Sequence, residues 1–365
     1  MNFDHWQNVL VVQTSFLGDT VLTLPLLSEI KARFPASKLT VLCSPPGKEL
    51  LQGYPGIDEI IVDDKKGTDK GLLGLWRKCQ ALREKSFTMA VTPHKSLRSV
   101  LLLYLARIPR RVGFRQSKGW FLFNLRANRH AERHDVERNL SVLKAVGIRP
   151  DDCQRVLYLP VKPSRQESVD RLLLSLGANL EKLVLGVSPG SVWPTKRWTA
   201  EGFAKLIELM KDNYDCEVLL FGGPEDAAIV SKIDQLSGRS TINLAGRIEL
   251  RDLPAALGRC RVIVTNDSGP MHVAIARNVP TVAIFCATTP GLGFYPYSAN
   301  SIVLEKDLSC RPCASHGGRR CPLGTEDCIR LIQPESVFEA VKRLLDRQPG
   351  ISAGSGFCSP EFVLL

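Results

Sequence analysis

Short apolar runs rich in Val, Ile and Leu, each followed by a turn and a stretch with helical spacing, constrain this chain more than any other feature. Such runs predict strands at 8–13, 39–43, 59–62, 87–91 and 111–114, with helices at 20–34, 71–85, 96–107 and 135–146. Leu159-Pro160-Val161-Lys162-Pro163 then reads as an extended connector, because its prolines disfavour helix in the residues before them. A helix at 166–176 follows, and the rhythm restarts. Strands are expected at 183–187, 217–221, 241–244, 262–264 and 281–285, and helices at 200–211, 226–236, 250–257, 271–277 and 335–346. Alternation at this pitch calls for parallel sheets with crossover helices. A length of 365 residues suits two such domains. The expectation is an α/β chain of two Rossmann-like parallel-sheet domains, residues 1–160 and 161–348, facing each other across a cleft. Residues 349–365 show no period and are expected to be a disordered tail.

Charge narrows the partners. Lys and Arg outnumber Asp and Glu by 48 to 37, so the chain carries +11 and suits an anionic partner. The excess is concentrated: from Lys85 to Ala131 there are ten Lys or Arg and no Asp or Glu. A solvated basic face is the plain reading of that stretch. Nucleic acid is the competing one, but no recognised nucleic-acid-binding motif is present. Met1–Trp6 has neither a basic n-region nor a long apolar run. The longest apolar helix candidate, Val100–Ala106, falls short of the ~20 residues a spanning helix needs. A cytosolic protein that touches a membrane surface is expected, and its eleven cysteines should be free thiols or metal ligands, not disulfides. Cys310, Cys313, Cys321 and Cys328, with His316 among them, could bind zinc. The second pair is spaced by six residues instead of two, so structural thiols and no metal are expected.

Four loops follow predicted strands and carry residues that can do chemistry. Thr265-Asn266-Asp267-Ser268-Gly269-Pro270-Met271-His272 joins a strand to a helix, with Ser268 as N-cap and Pro270 in the first turn. Free N–H groups at such a start make an anion site, beside which Asp267 suits a sugar hydroxyl better than a phosphate. Helix capping alone would also explain an Asp and a Ser there. Asp19, opening the first helix, could accept a proton from a sugar hydroxyl or could simply balance the helix dipole. In Ser188–Trp198, a Gly- and Pro-rich loop with two aromatics, Lys196 is placed to reach a phosphate or to sit solvated. Gly222-Gly223-Pro224-Glu225 lets the backbone approach a ligand, and Glu225 could accept from ribose hydroxyls. Neither a Walker sequence nor G-x-G-x-x-G opens either half, which disfavours nucleotide hydrolysis and nicotinamide chemistry. Group transfer fits this layout.

Ser15-Phe16-Leu17-Gly18-Asp19-Thr20-Val21, with Leu24-Pro25, is similar to the amino-terminal motif of the ADP-heptose:lipopolysaccharide heptosyltransferases of glycosyltransferase family 9. Pro189-Gly190 with Lys196-Arg197-Trp198 resembles their second motif, and Thr265–His272 their third. Phe221-Gly222-Gly223-Pro224 also fits, and the spacing agrees over about residues 8–345. The Pro-x-Lys-Arg-Trp form and the cysteine-rich segment look more like the heptosyltransferase II branch. Pro270 stands where some members have Leu.

The resemblance implies a GT-B fold and inverting, metal-independent transfer of a heptose from ADP-heptose, a substrate and not a cofactor, to the lipopolysaccharide inner core as its second heptose. Asp19 would be the general base. Lys196 and the backbone of Ser268, Gly269, Pro270 and Met271 would hold the leaving diphosphate, with Ser191 in the donor site. Asp267 would contact the heptose, His272 would support it and Glu225 would meet the ribose. Lys95, Arg98, Arg110, Arg111 and Arg115 would meet an anionic lipid A–Kdo–heptose acceptor at the inner face of the cytoplasmic membrane. A transferase with another nucleotide sugar or acceptor is the near alternative. A non-catalytic module binding sugar nucleotides or nucleic acid is the distant one, disfavoured because Asp19, Lys196 and Asp267 are all intact.

Overall fold

The computed structural model describes residues 3–347 and 359–365. The chain divides into two compact units, Met1–Leu157 and Tyr158–Leu365. The first holds a six-stranded sheet of β1 (Asn8–Gln13), β2 (Lys38–Cys43), β3 (Glu59–Val62), β4 (Met89–Val91), β5 (Arg110–Phe114) and β6 (Leu125–Ala127), in the order β3-β2-β1-β4-β5-β6. The second sheet contains β7 (Leu183–Ser188), β8 (Cys216–Leu220), β9 (Ile242–Asn243), β10 (Val262–Asn266), β11 (Thr281–Phe285), β12 (Ser301–Glu305) and β13 (Glu361–Leu364). Its order is β13-β12-β11-β10-β7-β8-β9. Every strand pair is parallel.

Both sheets are doubly wound in the same sense: the chain moves one way from β1 or β7, then returns to add β4 or β10 on the other side. Central strands such as Val9–Val12 and Val262–Val264 are buried on both faces, as parallel strands under helices must be. The reversal opens a crevice beyond the carboxyl ends of β1 and β4 in one unit and of β7 and β10 in the other, where ligands of such sheets sit. Two Rossmann-like units in tandem are the α/β arrangement the sequence predicts.

Several elements depart from the sequence expectation. The helix expected over 20–34 is two, Leu17–Leu22 and Leu24–Arg33, because Pro25 carries no N–H and starts a new helix. The helix expected from 166 starts at Pro163, where the same lack of an N–H is harmless in the first turn. Strands β6 and β12 were not expected. Within the tail expected to be disordered, 349–358 lies outside the described residues. Glu361–Leu364, however, pairs in parallel with β12, and Glu361 binds Arg347 at 2.5 Å. An edge strand gains its backbone hydrogen bonds from a partner far away in sequence, which no local period reveals. Among the described residues no helix is long and apolar enough to cross a membrane.

Candidate active site

Within the second unit, the loop after β7 and the turn after β10 meet at the reversal point of the sheet. Asn266 joins them: its amide donates to Pro189 O (2.8 Å) and its carbonyl accepts from Trp198 N–H (3.0 Å). Trp198 is buried and its indole N–H reaches Ile332 O at 3.1 Å, anchoring the end of the loop in the core. Arg197 donates to Ser191 O and faces Asp226 at 3.5 Å, while Asp226 accepts from Gly223 N–H. Burial raises the Asp226 carboxyl above its ordinary value, against the pull of Gly223 and Arg197. Gly190 has no alternative here, since a Cβ would stand 2.2 Å from Asp226 Oδ2. Ser191 is buried, so its carbonyl contact to Arg197 is part of the frame.

The frame delivers Lys196. Its ammonium lies 2.6 Å from Asp267 Oδ2, and both side chains are mostly buried, at 13% and 8% exposure. Thr288 Oγ1 donates to the same carboxylate oxygen at 2.7 Å. Ser268 is the N-cap of the helix Gly269–Ala276, but its hydroxyl makes no capping bond and turns to Thr265 Oγ1 at 3.4 Å. The first-turn N–H groups of Gly269 and Met271 therefore have no partner inside the helix. His272 is buried, and its Nδ1 has no hydrogen-bond partner among the described residues. Burial first, then the Lys196 charge, pushes His272 down to about 3, so the ring is neutral at pH 7. Glu225, in contrast, is exposed and lies over Gly223.

A neutral buried histidine has a stability consequence. Its folded pKa lies below the unfolded value near 6.5, so between the two the unfolded chain binds a proton that the folded chain refuses. Stability from this residue is fully present above pH 6.5 and falls as pH drops. Denaturant unfolding of wild type and His272→Gln at pH 6.5 and 5 should show wild type losing up to about 2 kcal/mol more. Equal losses would mean that His272 is protonated in the fold.

Sequence reasoning missed the residues that clamp this site from behind. Arg311 is buried against Glu305 (3.0 Å) and donates to Phe285 O (2.8 Å) and Thr288 O (2.6 Å). Thr195 Oγ1 donates to Gly318 O (3.0 Å) and accepts from Gly318 N–H (2.8 Å). Gly317, at φ +81°, packs on the Lys196 stem, where a Cβ would meet Cγ at 2.8 Å. The cysteine-rich segment thus bears on the lysine through its glycines and its arginine. Cys310 is exposed, Cys313 and Cys321 half-buried and Cys328 buried. The described residues bring together no group of three or more His, Cys, Asp or Glu that could hold a metal ion. Gly317→Ala should displace Lys196 and strain the left-handed backbone by about 1–2 kcal/mol. If Lys196 takes part in the chemistry, activity should fall by up to ~10²-fold, the scale on which a misplaced reacting group costs rate. Wild-type kinetics in this variant would show that Gly317 does not position Lys196.

In the first unit, β1 ends at Gln13, whose side chain binds Thr23 Oγ1 (3.0 Å) and Ser15 N–H (3.2 Å) to shape the turn. Asp19 is the third residue of Leu17–Leu22, half-buried, and Oδ2 accepts from Phe16 N–H at 3.0 Å. The carboxylate therefore does cap its helix, at the sheet's reversal point. Of the five basic residues expected to meet an acceptor, two are engaged by the fold itself. Arg98 forms a fork with the fully buried Asp63 (3.0 and 2.7 Å) and donates to Asp69 O. Arg111 donates to Leu122 O and Ile108 O and lies 5.5 Å from the Tyr104 ring centroid. A charged stretch in sequence cannot show which guanidinium a buried carboxylate or carbonyl has taken. Lys95 and Arg115 are exposed and Arg110 is half-buried. His94, at the end of β4, was not singled out from sequence. It contacts Ser99 Oγ at 3.1 Å, and burial pushes it down to about 3.

Residues 75–322 match the model of glycosyltransferase family 9 (heptosyltransferase). The chain belongs to that family. This heptosyltransferase is 29% identical to lipooligosaccharide heptosyltransferase 2 of Campylobacter jejuni, over 90% of this chain and 96% of the relative. A family 9 glycosyltransferase structure from Veillonella parvula superposes with a TM-score of 0.82 at 27% identity, covering 94% of this chain and 98% of that one. The structure of ADP-heptose lipopolysaccharide heptosyltransferase II from Escherichia coli gives 0.76 at 26%, covering 93% and 98%. The tandem Rossmann-like units of the heptosyltransferase are accordingly of the GT-B class.

Proposed function

We propose that this heptosyltransferase moves L-glycero-D-manno-heptose from ADP-heptose onto the lipopolysaccharide inner core, as the second heptose, by an inverting displacement that needs no metal. One observation carries the reading: a largely buried Lys196–Asp267 pair beside the uncapped start of Gly269–Ala276. A sugar leaving from a diphosphate puts negative charge on the departing β-phosphate while the anomeric carbon gains oxocarbenium character. Lys196 and the first-turn N–H groups supply fixed positive potential where that charge develops. Asp267 and Thr288 hold the lysine in place, and Asp267 Oδ1 is the oxygen offered to a heptose hydroxyl. His272 Nδ1, buried and unpartnered, would otherwise cost about 1–3 kcal/mol, which a donor hydroxyl would relieve. Asp19 takes the proton as the acceptor oxygen attacks the anomeric carbon and the bond to the diphosphate breaks. Lys95, Arg110 and Arg115 remain for the anionic acceptor. The names of the relatives, heptosyltransferase 2 and ADP-heptose heptosyltransferase II, support the donor and the position.

Transfer in the presence of EDTA, with the product linkage read by proton NMR, tests the chemistry. Undiminished turnover and an anomeric configuration opposite to the donor's are expected. Retention of configuration, or activity abolished by chelation and restored by a divalent cation, would contradict the reading.

A further inference from the structure

The outer surface of the first unit carries apolar side chains where a water-facing surface should be polar. In the helix Gly71–Glu84 one face buries Gly74, Cys79 and Leu82, while Leu72, Leu73 and Trp76 stand 84%, 78% and 60% exposed on its first two turns. Beside it, the helix Leu97–Leu105 exposes Leu97, Tyr104 and Leu105, and the adjoining 3-10 turn exposes Trp120 and Phe121. These pieces are neighbours. Arg98 donates to Asp69 O at 2.8 Å, tying the starts of the two helices together. Lys118 N–H binds Lys95 O, and a Cβ on Gly119 would meet Leu97 Cδ1 at 2.8 Å, so the Trp120 turn leans on the second helix. Both helices begin beyond the carboxyl ends of parallel strands, the same sheet edge at which Asp19 stands.

Cations border this apolar rim. Arg126 lies over the Trp120 ring at 5.0 Å, and Lys70, Lys95, Arg115 and Lys118 are exposed. From Lys85 to Ala131, the stretch that holds Leu97, Trp120, Phe121 and all of these cations but Lys70, no acidic residue offsets them. Before the Leu72 helix, Asp63 and Asp69 are buried and paired with Arg98 and Lys78, and Asp64 is half-buried. Exposed leucine and tryptophan flanked by exposed lysine and arginine is the composition that settles at the boundary between headgroups and acyl chains. A protein partner would require acids to match the cations and a self-complementary copy would set cation against cation. An anionic bilayer satisfies both the apolar side chains and the charge.

We propose that this rim is the membrane-docking surface of the enzyme, with Leu72, Leu73, Trp76, Leu97, Trp120 and Phe121 entering an anionic phospholipid leaflet. The proposal deepens the reading of a membrane-embedded acceptor, since it places the edge bearing Asp19 at the lipid surface. Docking needs no substrate, so it is tested apart from the chemistry. Full-length protein is floated with vesicles of phosphatidylethanolamine and phosphatidylglycerol, and with vesicles of phosphatidylcholine alone. Wild type should float with the anionic vesicles, release at high salt, and float poorly with the neutral ones. Leu72→Ser/Leu73→Ser/Trp76→Ser and, separately, Trp120→Ser/Phe121→Ser should each lower the partition coefficient by ~10-fold or more. Both sets of side chains are exposed, and unchanged melting temperatures would confirm intact folds. Turnover of a deacylated, water-soluble acceptor should stay at the wild-type level, while turnover of vesicle-borne acceptor falls. Wild type that fails to float, variants that float like wild type, or light scattering that shows a wild-type dimer dispersed by these substitutions would each overturn the proposal. If vesicles are bound and no heptose is transferred to either acceptor, the proposed function has failed and the docking surface stands.

Discussion

Lys196→Ala should lower kcat for heptose transfer by ~10²–10³, the usual cost of removing one preorganised group that stabilises developing charge. The ammonium is positioned by Asp267, Thr195, Gly317 and Gly318, so the loss cannot be made up by a neighbouring flexible lysine. On the proposed role the lysine also meets the diphosphate of the ground state, so ADP affinity should fall as well. The variant leaves the Asp267 carboxylate, 8% exposed, with Thr288 and no cation. Part of any loss could then reflect an unpaired buried charge. Lys196→Ala/Asp267→Asn measures the charge effect through stability alone: it should recover the melting temperature of the wild type, while its activity stays lost because Asp267 is itself offered to the heptose. Lys196→Arg should recover only a fraction, since a planar fork does not fill the place of a compact ammonium. Activity of Lys196→Ala within about threefold of wild type, a difference under 1 kcal/mol in barrier, would remove the lysine from the mechanism.

Asp19→Ala is expected to lower kcat by ~10²–10⁴ while leaving ADP affinity unchanged, since general-base removal acts on the acceptor proton alone. The alanine also deletes the carboxylate bond to Phe16 N–H at 3.0 Å, a capping loss of about 1 kcal/mol. Asp19→Asn keeps an acceptor for that N–H and cannot take a proton. If catalysis is the role, the two variants should be equally inactive, and the asparagine variant should melt close to wild type. An active Asp19→Asn would show that the residue serves the helix and not the reaction. Parallel loss of ADP binding in both would place the defect in the donor site.

The repeating strand–helix rhythm was enough to read the parallel sheets, because a strand buried on both faces must be apolar throughout. Asn8–Gln13, Glu59–Val62 and Thr281–Phe285 stand where their apolar runs place them. Strand β12, Ser301–Glu305, pairs with its neighbour β11 and has the same buried apolar run, so its signal was present and was overlooked. Strand β13, Glu361–Leu364, instead gains its pairing from β12 across a long separation in sequence. The motif residues were legible as chemistry, but their partners were not. Lys196 and Asp267 were singled out separately, one for phosphate and one for sugar, while their ion pair depends on Asn266 stapling two distant loops. Arg311 left no signal because it binds backbone carbonyls, which every residue possesses. The cysteines drew attention to 310–328, whereas Arg311, Gly317 and Gly318 are what connect that segment to Lys196.

The most direct test of the central claim is ADP release from ADP-heptose in the presence of core acceptors that carry no heptose or one. Turnover with the one-heptose acceptor and none with the bare acceptor is the predicted result. Turnover confined to the bare acceptor would contradict the second-heptose position, and no ADP release with either acceptor, despite tight ADP binding, would contradict heptose transfer to the core altogether.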